Sequence, residues 1–502
     1  MVKLFAMKKT YLISLLALML IVASGCKEDF LDVRPTQFLT EDQVAEAASK
    51  NPDVIAGSMS GIYTLMFQTG TGGTTGHDDF GQKGYDIMGD FLSGDLALSV
   101  STYGWYRTLT QFTVTTDFTT NGNYIVWRYY YRLIRSANSV IAALGGNDAV
   151  PELDANKHIM GQAKAMRAHS YFYLAQYYAK SYNPTEEILP IYDDPTTPNQ
   201  PKSTTQEVYA MIIKDLQDAI SLLGNFQRSA KNEVNKPVAQ AILAYVYATM
   251  GGNDNLALAK NLAADVIATG GFTITPPGLV TFAGSAAVGG FNDVSSPSWM
   301  WGVDLTTDNG LNLISWWGQM DKFTYSYQWA GDRKAIDAGL YAAIPADDIR
   351  KGQFEVGGSY NLVASNKFYP PVRTIAAQRF ITTDYVYMRI EEMFLLHAEV
   401  AAKSGDETAA RNSLKTFLAQ RIPNTSYVDG LTGQALQNEI YLQTRIEFFA
   451  EGKSYLAMKR NKATITRGSN HLSFVGTPVA YDDPRLTFEI PQSEIQNNPF
   501  IN

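Results

Sequence analysis

Residues 237–268 read PVAQAILAYVYATMGGNDNLALAKNLAADVIA, and this stretch decides the class of fold. Proline fits the first turn of a helix, where its missing N–H has no intrahelical partner to lose, and breaks a helix further in. Pro237 therefore opens a helix that runs through Tyr245 to Met250. Gly251-Gly252 stops it, because glycine adopts helix-ending backbone conformations at little steric cost. Asn255 to Ala268 makes a second helix. Alanine is frequent in both, so the two axes can approach closely as a helix–Gly–helix hairpin.

The pattern recurs. Met393 to Lys403 reads as a helix, Ser404-Gly405-Asp406 as the turn, and Glu407 to Gln420 as the return helix. Both hairpins resemble tetratricopeptide-like helix pairs, although the strict ~34-residue signature is not met. Upstream, Ile159, Ala163, Met166, Ser170, Tyr173 and Tyr177 fall in alternating steps of four and three, one face of a helix. A second stripe runs Tyr209, Ile212, Leu216, Ile220, Leu223, and Thr204 stands three residues before Glu207 at capping-box spacing. The expected fold is mainly α: a helical-repeat superhelix with long irregular loop insertions and a few short strands. The insertions are residues 68–84, with six glycines, and residues 271–380, rich in Gly, Pro, Ser, Asn and aromatics. Within the second, Ser298 to Gly302 reads as strand or extended loop. Long irregular segments on a rigid scaffold are where binding surfaces are built.

The amino terminus sets the compartment. Lys8 and Lys9 precede an apolar run from Tyr11 to Ala23, too short for a membrane helix of ~20 residues and suited to a secretory h-region. Ala23, Ser24 and Gly25 then lead to Cys26, the one cysteine in the chain. A buried free thiol is the competing reading of a lone cysteine; its place directly after an h-region favours lipidation. Ala23 stands where a lipoprotein signal more often has leucine, and Met7 is an alternative start. The expected organisation is a signal peptide at 1–25, a lipidated tether at 26–40 and one body at 41–502, held to the membrane by the lipid anchor only. Loss of Lys3, Lys8 and Lys9 with the signal takes the net charge from −8 to −11. An acidic chain without a basic cluster argues against nucleic acid as a partner.

Sugar recognition needs flat apolar faces for the C–H side of a pyranose and polar groups around them. Two loops supply both. Ser101 to Arg107, STYGWYR, sets Tyr103, Trp105 and Tyr106 beside a glycine. Trp316, Trp317, Tyr325, Tyr327 and Trp329 gather with Gln319, Asp321, Lys322 and Gln328. Core packing is the alternative for each ring; Trp105 and Trp317 lead the ligand reading, and at least one of Trp299 and Trp301 belongs to the core. Catalysis finds less support. Asp78-Asp79 and Asp482-Asp483 are adjacent acids, a pattern of turns more than of a glycosidase pair ~5–10 Å apart. His77 beside Asp78 and Asp79 reads as a solvated loop before it reads as a metal corner. The glycine run at 70–76 lacks the Lys-Ser/Thr of a phosphate-binding loop. No catalytic residue, metal ligand or cofactor is assigned; a structural calcium ion in an acidic loop stays open, with no residues assigned to it.

The motifs along the chain resemble those of the RagB/SusD family of nutrient-uptake outer-membrane lipoproteins. CKEDFLDVRP at 26–35 resembles the mature start, and RAHSYFYL from Arg167 to Leu174 resembles a helix with an R-A-x-x-Y-F-x-L core. DYVYMRIEEMFLLHAE from Asp384 to Glu399 resembles the block in which arginine precedes E-M-x-L-x-x-A-E. Arg445-Ile446-Glu447, Glu451-Gly452 and Lys459-Arg460 resemble R-x-E-F-x-x-E-G ending in K-R, with Lys453 where arginine is frequent. The close, Ile490-Pro491 through Asn498-Pro499, resembles I-P-x-x-E-I-x-x-N-P. The resemblance implies four tetratricopeptide-like units and a ligand site in the loops. It also implies a lipid-anchored place on the outer membrane facing outward, as a lid on a TonB-dependent, SusC-like transporter. Arg389, Glu392, Arg445, Glu447 and Glu451 are expected to pack and pair and not to touch ligand. The function so implied is capture of an oligosaccharide or polysaccharide. The rivals are a peptide ligand, a secreted glycoside hydrolase, and a scaffold that binds only protein.

Overall fold

The computed structural model describes residue 47, residues 51–282, residue 284 and residues 288–501. Cys26, the signal segment 1–25 and the tether 26–40 lie outside the described residues.

Eleven helices carry the architecture. They are α1 (Pro52–Leu65), α2 (Gln82–Leu92), α3 (Asn121–Ala143), α4 (Asp154–Tyr178), α5 (Thr205–Leu222), α6 (Lys236–Met250), α7 (Asn253–Thr269), α8 (Ile390–Lys403), α9 (Glu407–Leu418), α10 (Gly433–Glu447) and α11 (Ser454–Arg460). Their ends follow local chemistry. Asn51 accepts the N–H of Asp53 ahead of Pro52, and Asn235 accepts that of Val238 ahead of the helix that Pro237 opens. Thr204 and Glu207 close the reciprocal box expected of them.

From α3 onward each long helix lies against its neighbours in sequence: α3 on α4, α4 on α5, α5 on α6, α6 on α7, α7 on α8, and α8 on both α9 and α10. This is the mainly α, helical-repeat fold that the two glycine-stopped hairpins predict. The stripe on α4 proves to be only part of its buried surface. Every residue from Ile159 to Tyr178 is buried, because α3 and α5 cover opposite sides. Burying a polar group there is costly unless it is paired. Arg167 binds Asp215 in a two-pronged contact, Nε to Oδ2 at 2.7 Å and Nη2 to Oδ1 at 2.8 Å.

Four two-stranded antiparallel ribbons stitch the connections together. Leu96–Leu98 pairs with Lys334–Ile336, and Trp299–Val303 pairs with Tyr385–Arg389. Trp299 and Trp301 are both buried, each indole N–H donating to a backbone carbonyl.

At the end of the Tyr385–Arg389 strand, Arg389 enters a buried charge network. Glu447 is its centre. Its Oε1 accepts from Arg421 Nη2 at 2.8 Å and Arg389 Nη1 at 3.1 Å, and its Oε2 from Arg421 Nε at 3.0 Å and Arg350 Nη1 at 3.3 Å. Three guanidiniums hold the Glu447 carboxyl well below the usual carboxylate range against the opposing effect of burial. Glu451 bridges Arg389 and Lys367. Arg445 reaches Asp95 instead. These motif residues tie α8 and α10 to the segments that carry Asp95, Arg350 and Lys367.

Candidate functional site

The segment from Ser315 to Asp332 sorts its aromatic side chains by a turn. Ser315 caps a short helix, Trp316–Met320, and Ser326 caps another, Tyr327–Ala330. Between them Asp321 accepts the N–H of Phe323 at 3.1 Å, the N–H of Thr324 at 2.7 Å and the Thr324 hydroxyl at 2.7 Å. Burial pushes the Asp321 carboxyl up to about 6.

The first helix faces inward. Trp316 and Trp317 are 2% and 1% exposed, with Trp316 against Phe368 at 4.7 Å, so the expectation that they contact ligand is corrected: they are core. Tyr106 is corrected likewise. Its left-handed backbone (φ 63°) accompanies a buried ring packed on Phe91 at 5.3 Å. After the turn, Tyr325 and Trp329 are exposed and lie 5.5 Å apart.

The other loop arrives from far away in the chain. Asp332 Oδ1 accepts the backbone N–H of Thr102 at 2.6 Å, Tyr103 at 2.7 Å and Gly104 at 3.3 Å, while Oδ2 accepts that of Trp105 at 3.0 Å. Gly331 is required beside it: at φ +127° a side chain is strained, and a Cβ would sit 2.3 Å from Thr102 Oγ1. The clamp leaves Tyr103 60% exposed and Trp105 half-buried. Tyr327 lies between them, its ring 5.5 Å from Tyr103 and 5.6 Å from Trp105. Of the eight rings that the sequence gathers in these two loops, Tyr103, Trp105 and Tyr327 form one set, Tyr325 and Trp329 form an exposed pair on the neighbouring residues, and Tyr106, Trp316 and Trp317 are core.

His77 lies in a loop, as expected, but is half-buried there, and its partners are ones the sequence did not show. Its ring stacks on Trp105 at 5.1 Å and 4°, and its Nδ1 lies 2.6 Å from the Tyr327 hydroxyl. Gln319 Nε2 donates to its carbonyl at 2.7 Å. Partial burial lowers the imidazole pKa, so the ring is neutral at pH 7 and presents an aromatic face without charge. Asp79 folds the glycine-rich loop behind it by accepting the N–H of Gly72 at 2.7 Å and of Thr74 at 3.0 Å. No sequence signal pointed to His77, since its ring partners come from two other loops.

Chemically the surface offers stacked rings and a cation. Arg379 lies over Tyr325 at 4.0 Å from the ring centre. Two of the nearby acids are engaged: Asp332 on four N–H groups and Asp321 on its turn.

Comparisons with known proteins agree with this architecture. The family described as "Starch-binding associating with outer membrane" (SusD-like) matches residues 89–248, and the SusD family matches residues 347–502, together more than half of the chain. SusD-like protein P25 of Formosa agariphila is 20% identical over 225 residues, which is 44% of this chain and 40% of that relative's length. A SusD-like carbohydrate binding protein from Bacteroides vulgatus superposes with a TM-score of 0.73 at 23% identity, covering 89% of this chain and 96% of its own. NanU of B. fragilis superposes with a TM-score of 0.61 at 18% identity, over 91% and 97%. At such identities the superpositions speak to the fold alone, and the fold is the same one that the matched sequence halves specify: the chain belongs to the SusD/RagB family.

Proposed function

We propose that this protein captures an oligosaccharide or polysaccharide at the cell surface and delivers it, uncleaved, to a TonB-dependent, SusC-like transporter. The observation that carries the reading is the ring set Tyr103, Trp105 and Tyr327, exposed at its edge and fixed from behind by Asp332 and His77. Rings held before ligand arrives bind without an ordering cost, which favours stacking against a pyranose face. Tyr325 and Trp329 extend the same surface along a chain of sugars. Binding without cleavage fits the engagement of Asp321 and Asp332 in holding backbone.

The anchor belongs to the same proposal: residues 1–25 as signal peptide, Cys26 lipidated at the head of the tether 26–40, and 41–502 as the binding body. No helix among the described residues is long and apolar enough to cross a membrane. Bacterial acyl chains at Cys26, each CH₂ contributing ~0.8 kcal/mol, would supply stable attachment. One solved relative is a SusD-like carbohydrate binding protein, which supports the ligand class.

Calorimetric titration of the chain from Lys27 to Asn502 with a panel of neutral and acidic oligosaccharides and of peptides tests the reading. Saturable binding of a glycan at a Kd between ~1 μM and ~1 mM, about −8 to −4 kcal/mol, is expected. Binding of peptides alone would replace the glycan with a peptide cargo, and release of new reducing ends would replace capture with hydrolysis.

A further inference from the structure

A second cavity, of about 730 Å³, opens where helices α4, α6, α8 and α11 end, with the start of α5 and one face of α10 as further walls. It shares no residue with the aromatic surface. Helix C-termini present unpaired carbonyls and a negative partial charge, so cations are expected nearby. Two of them serve that purpose: Lys459 Nζ donates to the carbonyls of Gln176 and Ala179, and Lys403 Nζ to that of Arg460 at 2.9 Å.

The supply of positive charge exceeds this need. Lys403, Lys459, Arg460 and Lys462 all line the cavity, and no acidic side chain is among its lining residues. Behind the wall, Glu399 answers two of the four, accepting from Lys403 Nζ at 2.7 Å and from Arg460 Nε and Nη2 at 3.0 Å each. The remaining nitrogen of that guanidinium, Arg460 Nη1, is buried without a hydrogen-bond acceptor, although the guanidinium lies over the Tyr245 ring. Lys459 is buried, its ammonium donating to the Gln176 and Ala179 carbonyls and the Tyr455 hydroxyl, and burial, opposed by the Glu186 charge, lowers it to about 7. In a chain of net charge −8, a cavity wall that carries lysine and arginine and no acid is a local reversal of sign.

The rest of the wall is neutral and hydrogen-bonding. Gln434, Gln437 and Asn438 contribute amides from α10, and Tyr182, Tyr209 and Tyr441 contribute ring faces with hydroxyls. Amides and phenols at that density suit a ligand rich in hydroxyl groups, and the volume falls in the ~300–1,000 Å³ range of small-molecule sites. We propose that this cavity is a second binding site, selective for a short acidic saccharide of the uronate type. Its carboxylate would face Arg460 and the exposed Lys462, and its hydroxyls the α10 amides.

Titration of the mature chain with glucuronate, galacturonate and their dimers, against glucose, galactose and inorganic phosphate, tests the proposal. Asn438→Asp and Lys462→Glu place a negative charge on exposed wall positions that hold no buried pair. The expected result is saturable binding of a uronate near ~1 mM or tighter, weakened about tenfold or more by either variant and unchanged in Trp105→Ala. Neutral hexoses should not compete. Three results would overturn it. One is absence of saturation by any uronate in folded protein. Another is phosphate binding as tightly as a uronate, which marks a general anion site. The third is loss of binding in Trp105→Ala with none in Asn438→Asp, which moves it to the aromatic surface. Arg460→Lys, which removes Nη1 and keeps the charge, should weaken uronate binding if it folds; the two surface variants carry the test if it does not.

Discussion

The Asp332 carboxylate accepts the backbone N–H of Trp105 at 3.0 Å across 227 residues of sequence, and its other oxygen accepts three more N–H groups from the same loop. One side chain thus fixes the most promising ligand ring. Hydrogen bonds to a charged group each contribute ~1.5–3 kcal/mol. Asp332→Asn keeps the shape but removes the charge and turns a donor toward the loop. Thermal unfolding should register a loss of about 2 kcal/mol, and glycan affinity should fall about tenfold with helical circular dichroism intact. Unchanged affinity would mean the loop holds its rings without the clamp.

Trp105 and Trp317 look alike in sequence and should behave oppositely. Trp317 is 1% exposed, and Trp317→Ala is expected to cost ~3–5 kcal/mol of stability. Trp105→Ala should leave the melting temperature within a few degrees and abolish measurable glycan binding. Paired calorimetric scans and titrations on the two variants check both halves of the contrast.

His169 on α4 gives a pH dependence with a definite sign. It is buried against Tyr173 at 4.6 Å and Trp301 at 5.2 Å, and burial, assisted by Lys453, lowers its pKa from 6.5 to about 3. Between pH 3 and 6.5 the unfolded chain binds a proton there that the folded chain does not. The folded state therefore loses stability as pH falls through 6.5, by about 2 kcal/mol at pH 5 relative to pH 8. His169→Phe removes that proton uptake. The difference in unfolding free energy between wild type and variant should change by this amount over that window; a constant difference would contradict it.

Glu447 faces three guanidiniums in the interior. Glu447→Gln leaves Arg350, Arg389 and Arg421 with too little negative charge, and breaking a buried pair costs ~3–5 kcal/mol. Urea unfolding should show the loss as a lower midpoint, while the fraction still folded should bind glycan with unchanged affinity. A fall in affinity of the folded fraction would place the network in communication with the loops.

The helical row was legible because its punctuation is local. Thr204 with Glu207, Pro237, and Gly251-Gly252 each act within a few residues, and each marks an observed helix end. The full burial of α4 was not legible, since period-3.6 reading sees one face and the second cover comes from α5. The site was half legible. Trp316 and Tyr325 stand in one aromatic run, and only the turn around Asp321 sends the first inward and the second outward. His77 stayed hidden because nothing within its own loop distinguishes a stacking partner from a surface histidine.

The distances in sequence between these partners fix when the receptor becomes competent. Tyr327 and His77 are 250 residues apart, and the Leu96–Ile336 strand pair closes a loop of similar size. Helices can form and pack on local contacts, whereas closing such loops is paid in chain entropy and comes late in folding. An unfinished chain with every helix in place would still lack the ring surface. Cargo, binding only the completed protein, adds RT ln(1 + [L]/Kd) to its stability. On the proposed reading, recognition doubles as an inspection of the finished fold, and a molecule misassembled at either loop is deaf to its ligand.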